Sequence, residues 1–379
     1  MRNVKILIIS GQDVEKRLPI IKICRGFEFV VMGSSRNIKW MFDELGVRYI
    51  YFRMVRKVAP ISHILSVSQM VQAIKAEKPD IIQTYDTIPT FLARIAWFFD
   101  RNALVVSTVN GLGELYTYDK KKYLLYRKVY ELANRILLLG TRMLIFQNHD
   151  DLSFFRQRGM AGRKYRVIPG SGIDTKYYER SWYSGQDREK MRKSLLGSEK
   201  PFVITMIGRV VKSKGVIPFA RMAENIAASR DDVEAVLVGP DDKDSADRLN
   251  DYEMGYFRDK VKWLGERKDI RDILYVSDIC ILLSAREGMP RVVMEAAAME
   301  VPSVVLDVPG CREIVIDGRT GFVVEDEHQA LGRVLELLGN KEMLYAFGTE
   351  ARRRMEQVFS LDAIAQDMAA LWQNIIRKE

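Results

Sequence analysis

The chain has 379 residues, 47% hydrophobic and 29% charged, proportions that fit a folded protein of two or three domains and exclude disordered, collagen-like or low-complexity chains. The net charge of +9 is uneven: residues 1–170 hold 28 lysines and arginines against 14 acids, and the remainder is net acidic. The N-terminal half is therefore expected to face something anionic, unless its basic residues are merely scattered over the surface.

Short runs rich in Val and Ile alternate with helix-length segments. Residues 4–9, 29–32, 47–52, 80–84, 104–108, 143–147 and 165–168 read as strands, with helices at 62–78, 88–99 and 120–138 between them. This β-then-α rhythm predicts a parallel, doubly wound sheet. It halts at Ile168-Pro169-Gly170-Ser171-Gly172, and residues 171–200 read as a polar, helix-breaking linker. The rhythm restarts with strands at 202–207, 234–238, 261–264, 279–283, 303–306 and 322–324, and helices at 215–228, 291–299 and 329–338. Helical segments at 342–357 and 361–377 close the chain. The predicted fold class is α/β, with two Rossmann-like domains facing across a cleft. The expected boundaries are 1–170, a linker over 171–200, a second domain over 201–360, and a helix over 361–379 that crosses back to the first domain. Ligands of open α/β sheets lie beyond the carboxyl ends of the strands, so the loops there are where to look.

The cysteines Cys24, Cys280 and Cys311 and the histidines His63, His149 and His328 form no metal-ligand motif, so neither a zinc site nor a disulfide framework is expected. No apolar run approaches the roughly 20 residues of a spanning helix. The first strand is too short for the core of a signal peptide, and a cytoplasmic location is expected.

The most specific motif is Glu287-Gly288-Met289-Pro290-Arg291-Val292-Val293-Met294-Glu295, directly after the strand at 279–283. Gly288 permits close backbone approach. Pro290 suits a helix start, whose free amides and dipole favour a phosphate. Glu287 is placed to accept hydrogen bonds from sugar hydroxyls, and Glu295 from a ribose diol. The plainer reading is a capping carboxylate and a solvated helix glutamate. Gly208-Arg209-Val210-Val211-Lys212-Ser213-Lys214-Gly215 also follows a strand, and Arg209 with Lys214 can neutralise a departing diphosphate. Alone it also reads as a basic surface loop. Gly11-Gln12-Asp13, after the first strand, is weaker, since no GxGxxG is present.

Together these residues resemble family 4 of the retaining glycosyltransferases, which have the GT-B fold. The glutamate pair eight apart, the Arg209/Lys214 loop, Ser277-Asp278, Pro309-Gly310-Cys311-Arg312-Glu313 and Asp317-Gly318-Arg319-Thr320-Gly321 all carry the resemblance. It implies that Arg209 and Lys214 bind the donor diphosphate, that Glu287 holds the donor sugar with Gly288, Met289, Pro290, Arg291 and Val292 around it, and that Glu295 holds the ribose. It further implies that Gly11 backs the diphosphate and that Gly265 and Arg267 border the base. Asp278, Asp317 and Gly321 read as structural. Attack on the face that the diphosphate leaves needs neither an aspartate dyad nor a metal, so no cofactor is expected beside the nucleotide-sugar, a UDP-N-acetylhexosamine by resemblance. The Asp pairs at 150–151, 231–232 and 241–242 are then solvated loop or cap residues.

Where many family members carry His-Gly, this chain has Asn110-Gly111-Leu112-Gly113, similar to a branch that extends polyprenyl-diphosphate-linked sugars in bacterial surface polysaccharide or glycan assembly. Asn110 cannot take a proton near neutral pH, which leaves hydrogen bonding. Asp86, past the strand at 80–84, either orients the acceptor with Asn110, Gly111, Leu112 and Gly113 or caps a helix. The stretch from Lys120 to Tyr130 mixes Lys120, Lys121, Lys122, Arg127 and Lys128 with Tyr and Leu, and Arg53, Arg56 and Lys57 form another basic cluster. It suits an anionic membrane surface, hence a peripheral location on the inner face of the cytoplasmic membrane, or else packs on the sheet as an ordinary helix. Alternatives are a soluble sugar or sugar-phosphate acceptor, a sugar-nucleotide epimerase of the same fold, and a nucleic-acid-binding protein. The last lacks any helix-turn-helix, RNP or zinc pattern.

Overall fold

A strand such as Val4–Ile9 is apolar on both faces, and strands of that kind require both faces to be covered. The computed structural model shows this arrangement twice. It describes residues 3–54, 60–112, 116, 121–245 and 247–377, and the side chains of all these but 60, 121 and 122. Two units emerge: Met1–Gly172 together with Leu361–Glu379, and Ile173–Ser360.

The first unit holds β1 (Val4–Ile9), β2 (Phe27–Gly33), β3 (Arg48–Tyr51), β4 (Ile81–Thr84), β5 (Leu104–Val109), β6 (Met143–Phe146) and β7 (Tyr165–Val167). They form one sheet in the order β3-β2-β1-β4-β5-β6-β7, parallel throughout, with Ile6 opposite both Phe29 and Ile81. Alternate residues of β1 enter different layers. Ile6 and Ile8 pack with Trp372, Met368 and Ile364 of the terminal helix Leu361–Arg377. Leu7 and Ile9 pack with Met70 and Ala73 of the helix Pro60–Glu77 and with Leu92 and Ala93 of the helix Thr87–Trp97. Trp372 is fully buried, edge-on to Phe27 and Phe29, and its Nε1 donates to Gln83 Oε1 at 3.1 Å. Truncating a side chain of this size in such a setting costs about 3–5 kcal/mol.

The second unit holds β8 (Phe202–Ile207), β9 (Val233–Val238), β10 (Lys262–Trp263), β11 (Ile279–Leu282), β12 (Ser303–Leu306) and β13 (Gly321–Val324). Their order is β10-β9-β8-β11-β12-β13, again parallel. In each sheet the order reverses beside the first strand, between β1 and β4 and between β8 and β11. Crevices at the carboxyl ends of strands form at such points.

The segment read as a linker differs from expectation. Residues from Ile173 onward belong to the second unit, and they include a helix, Arg188–Leu196. Asp187 caps it, accepting from the amides of Glu189 and Lys190. The helix is polar because it buries only Arg192 and Leu196, which is why apolar periodicity missed it. Arg188 and Arg192 both reach the Asp278 carboxylate, which also accepts from the Val203 amide at 2.7 Å. Asp278 thereby ties this helix to β8.

Candidate functional site

In the second unit, the chain leaves β8 through Gly208 and Arg209 and turns in a short 3-10 helix, Lys212–Lys214. Two contacts dock that turn on the end of β11: the Ala285 amide donates to Ser213 O at 2.8 Å, and Gly215 lies against Leu283. Gly215 has φ of 79°, and a Cβ there would stand 2.2 Å from Leu283 O, so only glycine permits the approach. The docking brings Lys214 Nζ to 2.6 Å from Glu287 Oε1, with side chains 25% and 12% exposed. Two residues 73 apart in sequence thus form an ion pair at the β8/β11 switch point. Gly310, φ 80°, packs on the Gly288 carbonyl, where a Cβ would meet the oxygen at 2.3 Å. That explains the glycine of the Pro309-Gly310-Cys311 motif. Asp317 accepts from the Val323 amide at 2.9 Å.

Pro290 stands one residue before the helix Arg291–Ala298, so the helix begins beside Gly288 and Met289. Glu295 is not the solvated helix residue of the plainer reading. Its side chain is 13% exposed, and Arg291 Nε donates to Oε1 at 3.2 Å. The Tyr178 hydroxyl also bonds to it, and burial together with the Glu295 charge raises the Tyr178 pKa. Arg209 is ion-paired with Asp242. Asp242, a partly exposed loop acid, is therefore a partner of the cation loop. Arg267, after Gly265 (φ 68°), is clamped by Asp269.

In the first unit the switch point gathers Ser10, Gly11, Asp86 and Asn110. Asp86 precedes the helix Thr87–Trp97 but makes no side-chain cap hydrogen bond. Its Oδ2 instead accepts from Ser10 Oγ at 2.8 Å and the Gly11 amide at 2.9 Å, and its Oδ1 from Asn110 Nδ2 at 3.0 Å. Gln147 Nε2 approaches Asn110 Oδ1 at 3.4 Å. Asp86 has φ 65° and ψ 149°, a region kept almost entirely to glycine, and strain of this kind concentrates at functional sites. A Cβ on Gly11 would crowd Asp86 Oδ2 at 3.2 Å. The capping alternative for Asp86 is thus set aside. Ser10, a partner of Asp86, and Gln147, a partner of Asn110, escaped the sequence reading, because only the β1-β4-β5-β6 order brings them together. Leu112 is buried with Phe146 and Phe155, and Gly111 has φ 130°.

Gly113, Lys120, Arg56 and Lys57 lie outside the described residues, as do the side chains of Lys121 and Lys122. In the helix Lys121–Leu137, Arg127 sits over the Tyr116 ring at 5.2 Å, and Lys128 is exposed. Asn134 and Leu137 are buried. Leu125, Val129, Leu132 and Ile136 form an exposed stripe that continues to Leu139. The helix therefore packs inward on one side and shows apolar side chains outward on the other.

Asp151 is buried and engaged by Asn148 at a helix start, and Asp232 is paired with Arg230. Asp151 thus belongs to a helix cap, and Asp232 is a partly exposed loop acid held in an ion pair. Among the described residues no group of three or more His, Cys, Asp or Glu side chains converges as metal ligands. The three cysteines are free and buried.

Residues 187–354 match the family model of glycosyl transferases group 1, and residues 24–177 that of Glycosyltransferase Family 4. An Escherichia coli UDP-Gal:alpha-D-GlcNAc-diphosphoundecaprenol alpha-1,3-galactosyltransferase is 29% identical over 280 residues, 72% of this chain and 69% of its own length. A Campylobacter jejuni N,N'-diacetylbacillosaminyl-diphospho-undecaprenol alpha-1,3-N-acetylgalactosaminyltransferase is 27% identical over 374 residues, 95% of each chain. Among solved structures, Anabaena HepE in complex with UDP superposes with a TM-score of 0.80 at 20% identity, covering 98% of this chain and 100% of the other. At that identity the likeness speaks for the fold.

Proposed function

Since the chain belongs to the family 4 glycosyltransferases of GT-B fold, we propose that it is a retaining, metal-independent hexosyltransferase that moves a sugar, an N-acetylhexosamine, from a UDP-sugar to a polyprenyl-diphosphate-linked saccharide. The observation that carries the reading is the Lys214–Glu287 pair at the β8/β11 switch point, beside the start of the helix Arg291–Ala298. A fixed cation and a helix N-terminus suit a diphosphate, whose charge grows as it leaves. A carboxylate on the same spot suits sugar hydroxyls. On donor binding Lys214 shares its protons between Glu287 and the diphosphate, and Arg209 does the same from Asp242. Glu295, already oriented by Arg291 and Tyr178, accepts from the ribose. The departing phosphate oxygen takes the acceptor proton, so no protein base is needed. Asn110 and Asp86 orient the acceptor by hydrogen bonds, with Gly11 beside them.

Two observations favour a lipid-linked acceptor over a soluble one. The Escherichia coli and Campylobacter jejuni relatives are named for diphosphoundecaprenol-linked substrates. The stripe Leu125-Val129-Leu132-Ile136 leaves apolar side chains in water, and an amphipathic helix flanked by basic residues suits peripheral docking on an anionic membrane. Calorimetric titration with UDP-, GDP- and ADP-sugars tests the donor assignment. UDP-sugars should bind, and Glu287→Ala should weaken them; preference for another base would refute the assignment.

A further inference from the structure

The basic excess of the first unit has a second focus, away from the carboxyl ends of the strands. Arg142 immediately precedes β6, Arg163 and Lys164 precede β7, and Arg166 lies within β7. Parallel pairing of these strands, with Leu144 opposite Tyr165, sets the four cations around one concavity of about 390 Å³. Its floor is Leu371 and Ile375 of the terminal helix, both buried. Asp367 neutralises Arg166 at 3.3 Å. The side chains of Arg142, Arg163 and Lys164 make no ion pair or hydrogen bond with another described residue. Three unneutralised cations on one pocket repel one another and raise its potential for an anion. Guanidinium forks match the paired oxygens of a phosphoryl group better than a single carboxylate or halide.

We propose that this pocket is a binding site for a phosphoryl anion, either free or as the headgroup of an anionic lipid. It lies at the amino ends of β6 and β7, whereas Asp86 and Asn110 follow the carboxyl ends of their strands. A four-residue strand alone separates the two ends by about 13 Å, so the pocket is distinct from the acceptor cluster. The proposal does not depend on the transfer reaction.

The test uses the full chain carrying Lys214→Ala, which removes the main cation of the donor loop. Inorganic pyrophosphate is titrated by calorimetry. In parallel, sedimentation is measured with phosphatidylglycerol/phosphatidylcholine vesicles and with phosphatidylcholine alone. Each arm compares the intact pocket with Arg142→Glu/Arg163→Glu and with the milder Arg142→Gln/Arg163→Gln pair, which decides the matter if charge reversal impairs folding. The expected result is a loss of about tenfold or more in affinity in at least one arm. Loss of pyrophosphate binding identifies a free anion as ligand; loss confined to anionic vesicles identifies a lipid headgroup. Absence of binding in both arms, or binding that the pocket variants leave unchanged, overturns the proposal.

Discussion

Replacing Asp86 separates two effects that oppose each other. In the native chain its carboxylate satisfies the hydroxyl of Ser10 and the amide of Gly11, both buried, and the amide group of Asn110. Asp86→Ala strands those donors and keeps the backbone at φ 65°, ψ 149°. A buried donor left unsatisfied costs about 1–3 kcal/mol, so the two buried ones together cost about 2–6 kcal/mol, with Asn110 free to turn to water. Asp86→Gly loses the same bonds but relieves about 1–3 kcal/mol of strain. Against that stands about 0.5–1 kcal/mol for glycine's extra freedom in the unfolded chain. The glycine variant should therefore be more stable than the alanine variant by about 1 kcal/mol, although both fall below wild type. For a unit of this size that is about 2–4 °C in melting temperature, which differential scanning calorimetry resolves. Both variants should also lose transfer, because Asn110 is no longer aimed. An alanine variant that melts at or above the glycine variant, or a wild-type melt for either, would show that Asp86 is neither strained nor anchoring this cluster.

Lys214→Ala leaves Glu287 without its cation and should lower turnover by about 10²–10³-fold, with a smaller loss for Arg209→Ala. EDTA should leave the rate unchanged, and restoration of a chelated enzyme by added divalent metal would refute cation-only stabilisation of the leaving group. Burial pushes the thiols of Cys24 and Cys280 up, to about 11 and about 12, and that of Cys311 up as well. At pH 8 Ellman's reagent should therefore find no thiol in the native chain and all three in urea; a rapidly reacting thiol in the native chain would contradict the burial. Leu125→Ser/Val129→Ser/Leu132→Ser should weaken flotation with anionic liposomes, since each buried methylene contributes about 0.8 kcal/mol, and unchanged flotation would remove the stripe from the membrane surface.

Strands buried on both faces announce themselves as apolar runs, which is why β1, β8 and β12 stand where expected. Helices with a narrow buried face do not. Asp251–Lys260 buries only Phe257, and its real signature is the capping box of Asn250 and Glu253, a signal present in the sequence as N-x-x-E. Arg188–Leu196 likewise shows its ends, Asp187 and a left-handed Gly197, more clearly than its face. Within the candidate site, residues 287–295 were legible because they form one continuous stretch. Pairings across the sheet were not: Asp86 with Asn110, Arg209 with Asp242 and Glu295 with Tyr178 each depend on the strand order or on a loop's return. Charge counting located the basic excess in the N-terminal half, but only the β6–β7 pairing shows where Arg142 meets Arg163.

The most direct test of the transferase assignment is a transfer assay with labelled UDP-N-acetylhexosamines and a polyprenyl-diphosphate-linked saccharide, with Glu287→Ala as the control. Wild type should move label into the lipid-extractable product with retained anomeric configuration, release one UDP per sugar transferred, and use a water-soluble analogue of the acceptor poorly. The Glu287→Ala chain should do none of this while remaining folded. Equal transfer by wild type and Glu287→Ala, or an inverted product, would contradict the account.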